Sequence, residues 1–579
     1  MRCDGARPIC GPCIRTNREA DCEYTDGTTR SPTQVLEDNI VSLEARIHEL
    51  EHPETVAPSV TLHDPHATML QPGPSGKPTS PIWGRLDTAC GSCYPSNSRG
   101  YGTNLAPLDS FVEPSAEVVQ TLVGFFLPKA SQIGFYLHQP RFLKSIYTQD
   151  AETRQARLSP ALLNAVYLWG VHFSSNSSLL AHEPVFLQRA VHAVATALAH
   201  DPPYNIIYNV QAEILLANYF FSANRLLEGR YHCNAAVALA LSCRLNKIRS
   251  QAHADLPAGV SLGVASAIPP PLDAIEEGER INVFWGVFIL DKSWAVTVGS
   301  PSHFNGSPGA QVDTPWPLEM EEYEEYGIPQ DLQGIRTTET FLAEMVSTSV
   351  DGTSSVALLA KSSALFERAT RLASQWTPSE SSVRSTLSPA DGQTLAMAYV
   401  EQAAADFFLL DNVIDRYTAL LLASPEALDH DAAFKVLLTR TFAYVATIRV
   451  HGILKQVEGL AQDKDLDAAR AAVALIDTVN LTGCPFINPI MAILWTAICR
   501  VFIGEIVKLR IAWTSTSLLE DQVAAATEMH RLETDHDNII AGLQKVLNAM
   551  TVFAQTCPLM IHIAVQANKI RQELENATR

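Results

Sequence analysis

Apolar residues recur at helical spacing over almost all of the chain beyond about residue 111. Val210, Ile214 and Leu215, for example, are placed to share one face of a helix. Strand-like alternation is scarce, so we predict one large all-α region. Loops should interrupt it near 250–274 and 300–335, where Gly and Pro concentrate, and a polar break should follow near 376–392. The apolar helical segments include 161–173, 185–199, 206–227, 394–422, 430–458, 464–480, 487–513 and 517–573.

A second pattern, near the N-terminus, has the seven-residue repeat of a coiled coil. Two heptads are short for an independent coiled coil, so the segment could also be an amphipathic helix that docks on the main domain. From its position in the chain we favour a helix over 35–51 that forms a homodimer. The seam residues are Leu36, Ile40, Leu43, Ile47 and Leu50.

Composition divides the chain into five regions. Residues 1–24 are rich in cysteine, and 25–34 read as a polar linker that leads to the coiled-coil helix. Residues 52–107 are rich in Pro, Gly, Ser and Thr, as expected of a disordered linker. The helical body should then occupy 108–579.

Length and charge narrow the functional classes. The chain has 579 residues, 47% of them hydrophobic, which is enough for a large core, and its net charge is −20. A body this acidic should repel nucleic acid, so any contact with DNA must come from a local basic element. Met1 is followed at once by charged residues and cysteines, and Arg500 interrupts the most apolar stretch, so we expect an intracellular protein with no membrane partner.

Four cysteines near the N-terminus indicate metal binding. Cys3, Cys10, Cys13 and Cys22 are separated by six, two and eight residues. Such clustering in an intracellular chain favours a metal site over disulfides. Cys90 and Cys93 form another close pair, but they lie in the linker, and no second ligand pair follows them.

This stretch resembles the C-terminal two thirds of the fungal zinc binuclear cluster, a DNA-binding module with six cysteines. Cys3, Cys10, Cys13 and Cys22 match its third to sixth cysteines, and Pro8 lies in a loop like that of the family. The first two cysteines and a basic helix would precede Met1. We therefore expect a truncated N-terminus, arising from a gene prediction that starts one exon late or from a shortened isoform.

The resemblance implies zinc as the cofactor and DNA with G/C-rich half-sites as a partner. Both ion sites of the family's two-zinc cluster would lack ligands here, so we expect a poorly folded remnant that holds one zinc ion at most. Residues 1–30 also carry as many acidic residues as arginines, whereas duplex binding needs a basic excess. Arg2 and Arg7 remain as weak candidates for contact with DNA, so we expect this chain to bind DNA weakly or not at all.

Two helical stretches farther along resemble the middle homology region of fungal zinc cluster regulators. The first is a small-residue helix over 230–247, and the second contains an Arg-x3-Phe-Trp pattern that is followed by Asp and then by Gly-x-Pro. The family places a basic residue inside that last motif, where this chain has Ser300. The residues that match the signature are Arg280, Phe284, Trp285, Asp291, Gly299 and Pro301.

Helical spacing predicts that the second stretch is mainly scaffold. Phe284, Trp285 and Phe288 fall on one face together with Ile281. Arg280 and Asp291 are about three turns apart and cannot touch, so each should pair with a neighbouring helix. The alternative is a ligand-sensing pocket between helices, apolar with few polar groups, for a small-molecule effector.

Three short motifs suggest enzymes, but their contexts do not support catalysis. Gly259-Val-Ser261-Leu-Gly263 has the Gly-x-Ser-x-Gly pattern of a hydrolase nucleophile elbow. It lies, however, in a predicted loop of an all-α chain. Gly76-Lys77-Pro78 lacks the Ser or Thr of a phosphate loop. Asp411 and Asp415 would suit a helical terpenoid synthase, but no second acidic cluster accompanies them, and a solvated helix face is the simpler interpretation. We expect no enzyme.

The sequence thus predicts a nuclear, zinc-dependent, sequence-specific DNA-binding regulator of RNA polymerase II transcription, in which the DNA binding of this truncated chain is weak or absent. The alternative is a regulator that does not bind DNA and sequesters full-length partners by dimerisation. A terpenoid synthase-like enzyme remains a remote alternative.

Overall fold

The computed structural model of the protein describes most of the chain beyond residue 113. The chain divides into two compact units, Met1–Thr103 and Asn104–Arg579. Every helix with defined bounds belongs to the second unit. The described residues are Cys10, Cys13, Arg15, Val41 and the ranges 114–147, 158–200, 205–250, 268–343, 352–375, 389–423, 430–454, 463–481, 486–517, 522–554 and 556–576.

The described residues are mostly helical, which confirms the prediction of an all-α protein. Within these residues, the only β interaction is an isolated bridge between Ser250 and Gly334. Two short 3-10 turns, Leu127–Lys129 and Leu245–Lys247, supplement the α-helices. In chain order the α-helices are α1 (Ala116–Phe126), α2 (Gln139–Ile146), α3 (Pro160–His172), α4 (Ser177–Leu180), α5 (Glu183–His200), α6 (Ile206–Ser222), α7 (Leu226–Ser242), α8 (Ala274–Ala295), α9 (Met320–Glu325), α10 (Thr337–Leu342), α11 (Ser355–Gln375), α12 (Pro389–Ala423), α13 (His430–Leu454), α14 (Lys464–Asp477), α15 (Ile490–Thr516), α16 (Gln522–Val552) and α17 (Pro558–Asn576).

Capping residues in the sequence set several helix ends. The Ser159 hydroxyl accepts the Ala161 N–H at the start of α3, and Pro160 follows at the first helical position. Asp273 caps α8 by accepting the Glu276 N–H at 2.9 Å. Asn224, in the left-handed conformation at φ 60°, separates α6 from α7. The predicted segment 206–227 is therefore two helices, and the segment 517–573 is likewise divided between α16 and α17.

One hydrophobic core extends through the second unit and includes residues from α1 to α17. Helices α3, α6 and α8 lie deep within it. Trp169, Trp285, Trp294 and Trp495 are among its largest fully buried side chains. Neighbouring pairs such as α1 with α3, α6 with α7, and α8 with α11 pack in direct contact. A smaller apolar cluster joins α11, α12 and α13.

Helix α1 crosses α3 at very short range. A Cβ added to Gly170 would stand 2.4 Å from the Leu122 carbonyl oxygen and 2.8 Å from its carbonyl carbon. Because those atoms belong to the backbone, no side-chain rotation could relieve the contact. Glycine at this position therefore permits the crossing.

Helix α15 is long and apolar enough to cross a membrane by length and composition alone, but 56% of its most apolar 18-residue stretch is buried inside the protein. Trp495 and Ile498 are fully buried in the core, and the helix packs against α13, α14, α16 and α17. This is the packing expected of a central helix in a helical domain.

Candidate functional site

Helix α8, which carries the resemblance to fungal regulators, is buried from Gly278 to Ala295. The sequence predicted one apolar face, but α6, α7, α9 and α11 all pack against this helix. Phe284 and Trp285 have no exposed surface. The polar residues of α8 are therefore buried as well, and each needs a partner inside the protein.

Trp285 fixes the segment that follows α8 onto the helix. Its indole Nε1–H donates to the Pro315 carbonyl at 2.7 Å. Its ring stacks on Trp316 with the centroids 4.4 Å apart. Phe284 and Phe288 each contact the Phe304 ring. The aromatic part of the signature thus holds residues 304–316 against the core.

Asp291 secures the same segment near its start. Its Oδ2 accepts the Ser302 hydroxyl at 2.6 Å and the His303 N–H at 2.9 Å, and its Oδ1 pairs with His303 Nδ1 at 2.8 Å. Burial raises the pKa of this carboxyl, but the bonds from His303 and Ser302 outweigh burial and hold the pKa below its ordinary value. Asp291 therefore pairs with the following loop, and the prediction of a neighbouring helix was wrong.

Gly299 and Pro301 form the turn between α8 and that loop. Gly299 has φ +68°, which a residue with a side chain rarely adopts, and open space surrounds its Cα. The Ser300 N–H donates to the Ala295 carbonyl at 2.9 Å. Pro301 is exposed. The turn is held by backbone geometry here, and the Ser300 side chain makes no hydrogen bond that defines it.

Arg280 also differs from its predicted pairing with another helix. It bonds Glu276 one turn earlier on α8, at 2.6 Å, and the Pro269 carbonyl before the helix, at 2.8 Å. The guanidinium side chain is 9% exposed. Its Nε–H is buried and has no hydrogen-bond acceptor, so one of the donors of this guanidinium makes no hydrogen bond.

A buried ionic group that the sequence did not reveal joins α8 to α11. Lys292 bonds Glu367 at 3.0 Å and the Phe304 carbonyl at 2.9 Å, and Glu367 also accepts from Arg371 at 2.9 Å. Helix α11 lies within the predicted all-α region, but it was not singled out as an apolar segment, because its buried positions include Lys361 and Glu367. The i,i+4 spacing of Glu367 and Arg371 was the one signal available.

Glu279, on α8, is a buried carboxyl with a shifted pKa. It is 3% exposed, and its Oε1 accepts the His138 N–H at 2.9 Å. Burial raises the pKa to about 7, although that bond and the nearby Arg141 guanidinium act in the opposite direction. The folded protein therefore keeps a proton that the unfolded chain releases between pH 4.5 and 7.

We expect Glu279→Gln to remove this pH dependence. In the wild type, the stabilising contribution is complete below about pH 4.5 and is lost as pH rises through 7. The amide is neutral throughout and keeps an oxygen for His138, so the variant should gain about 1–3 kcal/mol at pH 8. Urea unfolding across pH 5–8 measures this gain. Glu321→Gln, on the exposed part of α9, is the control, and equal profiles for both variants would contradict the prediction.

A cavity of about 250 Å³ lies where the end of α7 meets the first turns of α8. Leu245, Ile268 and Arg280 form its buried walls, whereas Arg244 and Pro271 are exposed. Arg244 has φ +56° and directs the chain from α7 into the 3-10 turn. This conformation has no sequence signature, so the sequence did not predict the cavity. The remaining lining residues are Cys243, Lys247, Ile248 and Glu277.

Asp411 and Asp415 share an ionic cluster in which Asp415 is exposed, as predicted for a solvated helix face, whereas Asp411 is largely buried. Lys464 lies between them, 3.0 Å from Asp411 and 2.8 Å from Asp415, and His451 Nε2 is 2.8 Å from Asp411. These bonds and the opposite charges lower the pKa of Asp411, although burial acts against them. The aspartates thus join α12 to α13 and α14.

Of the predicted metal ligands, the structure describes Cys10 and Cys13. Cys10 is buried, and the Cys13 N–H donates to its carbonyl at 3.0 Å, which closes a tight turn. In the part of the chain that the structure describes, no group of three or more metal-binding side chains is present. Outside that part lie Cys3, Cys22, Arg2, Arg7, Cys90, Cys93, Ser261 and the seam residues Leu36, Ile40, Leu43, Ile47 and Leu50.

Comparison with known families supports the middle homology resemblance. Residues 128–375 match the family model described as Fungal specific transcription factor domain. This range contains α8, its signature residues, the cavity and α11. No curated protein and no solved structure matches the chain. Residues 128–375 are therefore similar to a fungal specific transcription factor domain, a family of non-enzymatic regulators of transcription.

Proposed function

We propose that the protein regulates RNA polymerase II transcription in the nucleus as a zinc-dependent, sequence-specific DNA-binding protein. We expect its own contact with DNA to be weak at most, because residues 1–30 carry no basic excess. The observation that carries this proposal is the order of two features along one chain. A run of cysteines with zinc-cluster spacing comes first, and a fungal specific transcription factor domain over 128–375 follows.

The described cysteines are compatible with a metal site. Cys10 and Cys13 are three residues apart, and the hydrogen bond between their backbones closes the turn that joins them. By the resemblance, Cys10, Cys13 and Cys22 would hold one zinc ion, which is three of the four ligands that a tetrahedral site takes, and Cys3 and Cys10 belong to the other ion site. When bound, zinc would supply folding free energy to this segment. Arg2 and Arg7 are the nearby cations for DNA phosphate.

The remaining regions have roles that follow from their chemistry. The apolar seam from Leu36 to Leu50 would pair two chains, so that each dimer presents two DNA-binding modules to G/C-rich half-sites. The net charge of −20 would keep the helical body away from DNA. That body would transmit the state of a small-molecule effector or of a partner protein.

Zinc content tests the proposal directly. We expect the freshly reduced full chain to bind one zinc ion, and we expect Cys10→Ser/Cys13→Ser to lower the bound zinc at least tenfold, because two of the three cysteines at that ion site are lost. Elemental analysis after gel filtration measures the ratio of metal to protein. Cys90→Ser/Cys93→Ser, a pair with the same spacing in the linker, should change nothing.

A chain without zinc, or equal loss in both double variants, would refute the zinc proposal. A mobility shift with G/C-rich duplexes at two salt concentrations then addresses DNA. Zinc-dependent binding supports the proposed function. A zinc-loaded dimer that leaves DNA unshifted favours the alternative of a dimerising regulator that sequesters full-length partners.

A further inference from the structure

Arg449, on α13, is a half-buried arginine without an acidic partner. Its Nε–H is buried and has no hydrogen-bond acceptor. Within the residues that the structure describes, its Nη1 and Nη2 make no hydrogen bond or ion pair either, and both retain contact with solvent. A cation that leaves water loses its hydration, and an ionic partner normally compensates for that loss. Arg449 therefore keeps donors that are open to a molecule from outside.

A second arginine, Arg500 on α15, lies within electrostatic reach of the first. Helix α13 packs directly against α15, and Arg500 is exposed there. Burial, and then the positive charge of Arg500, lower the pKa of the Arg449 guanidinium. In the described part of the chain Arg500 also makes no hydrogen bond or ion pair. Two like charges thus occupy one place, although the whole chain has a net charge of −20.

The neighbouring ionic cluster does not neutralise these arginines. His451, which bonds Asp411 at 2.8 Å, is two residues from Arg449 and so projects from the opposite side of α13. Lys464 bonds both Asp411 and Asp415. No described carboxylate raises the pKa of Arg449. The two arginines therefore form a doubly cationic site with which no described side chain is paired.

Space for a ligand lies one helical turn beyond each arginine. Gly452 follows Arg449 by three residues and Gly504 follows Arg500 by four, so each glycine shares a helix face with its arginine. Both glycines are exposed, and a Cβ added to either would meet no described atom within 4 Å. A molecule bound at the arginines therefore has room to extend over these glycines.

We infer that Arg449 and Arg500 bind the phosphoryl group of a small phosphate monoester. Such a group carries a charge of about −1.5 to −2 at pH 7 and three acceptor oxygens, whereas a carboxylate brings one charge and two oxygens. Guanidinium groups pair with phosphate through parallel hydrogen bonds. The phosphoryl oxygens accept from Nη1 and Nη2 of Arg449 and from Arg500, while the organic part lies over Gly452 and Gly504.

The binding itself is independent of zinc and DNA. Only its regulatory consequence rests on the proposed function, since the ligand would join α13 to α15 within the body of the regulator.

Calorimetry on the full chain at constant ionic strength tests the inference with glycerol phosphate, inorganic phosphate and acetate. We expect glycerol phosphate to bind with a Kd of about 1 mM or below, and acetate to bind at least tenfold more weakly. Inorganic phosphate should bind no more tightly than the ester, because it lacks the organic part. No binding of the ester up to about 10 mM, equal binding of acetate, or tighter binding of inorganic phosphate would each overturn the inference.

Two variants place the ligand at the arginines. Arg449→Met keeps an unbranched side chain but removes the charge, and it should weaken the binding of glycerol phosphate at least tenfold. Without ligand its thermal midpoint should equal or exceed that of the wild type, because no unpaired buried charge remains. A lower midpoint with unchanged affinity would instead identify a structural arginine and refute the site. Arg500→Met, at an exposed position, should weaken binding several-fold and leave the midpoint unchanged.

Arg470→Met is the matched control for both variants. Arg470 is an exposed arginine of the adjacent helix α14, and it lies 3.7 Å from Asp467. This variant removes the same charge, and it should bind glycerol phosphate as tightly as the wild type does. If it loses as much affinity as Arg449→Met, the effect comes from the overall charge and the site does not lie at Arg449 and Arg500. Because calorimetry requires neither zinc nor DNA, this outcome is distinct from failure of the proposed function.

Discussion

Replacement of Asp291 by alanine should lower the free energy of unfolding by about 3–5 kcal/mol, the range for loss of one partner from a buried charged network. The carboxylate has no exposed surface and accepts three hydrogen bonds from Ser302 and His303. Alanine leaves these donors without an acceptor and detaches the loop from α8. Urea unfolding at pH 7, followed by circular dichroism, measures the change.

The matched control is Asp477→Ala. Asp477 also bonds a cation, Lys545, at 2.7 Å, but it is 61% exposed, so its loss should cost less than about 1 kcal/mol. Asp291→Asn should fall between the two, because an amide keeps one oxygen acceptor but lacks the charge. Similar losses for Asp291→Ala and Asp477→Ala would show that the Asp291 network does not stabilise the fold.

Asp291 should also contribute to acid sensitivity. Its pKa in the folded protein is below the ordinary value of 3.8, so the unfolded chain takes up its proton first as pH falls. The stabilising contribution is therefore complete above about pH 4 and declines below it. In Asp291→Ala this part of the acid response should be missing, and the difference in stability from wild type should shrink as pH falls toward 3.

Gly170→Ala should destabilise the protein by about 2–3 kcal/mol, even though alanine is the better helix former. The added methyl group would meet the Leu122 carbonyl at 2.4 Å, so α1 and α3 would have to separate. Gly124→Ala, on the exposed side of α1, adds the same group to open space and should stabilise by about 0.5–1 kcal/mol. Urea midpoints of the two variants should therefore move in opposite directions. A Gly170→Ala midpoint equal to or above that of the wild type would refute the close crossing.

Helix content was predictable because it depends on local periodicity. Segments such as 430–454 and 490–516 repeat apolar residues at helical spacing, and they are helices α13 and α15. The signature stretch was also identified correctly as a helix. The extent of its burial was not, because the periodicity gave only one apolar face and did not identify the partners of Arg280, Asp291 and Lys292. Arg280 pairs with Glu276 one turn earlier, whereas Lys292 pairs with Glu367, which is close to it only in the folded protein.

The candidate site shows a further limit of sequence patterns. Arg244 determines the shape of the cavity through a left-handed backbone, and an arginine gives no sign of that conformation. Helix α11 was not singled out within the predicted all-α region for a related reason. Its buried Lys361 donates to the Gly352 carbonyl, and its Ser362 bonds the Tyr417 hydroxyl. Each is satisfied by a specific contact that no periodic pattern records.

Because other helices enclose residues 278–295 of α8, enzymes and binding partners have little access to this helix. Kinases, proteases and partner proteins cannot reach residues 278–295 while the domain stays folded, since the surrounding helices cover them. Only the two ends of the helix meet solvent, at the cavity near Arg244 and at the turn around Pro301. A covalent modification or a binding partner can therefore affect this helix directly only at one of those two ends.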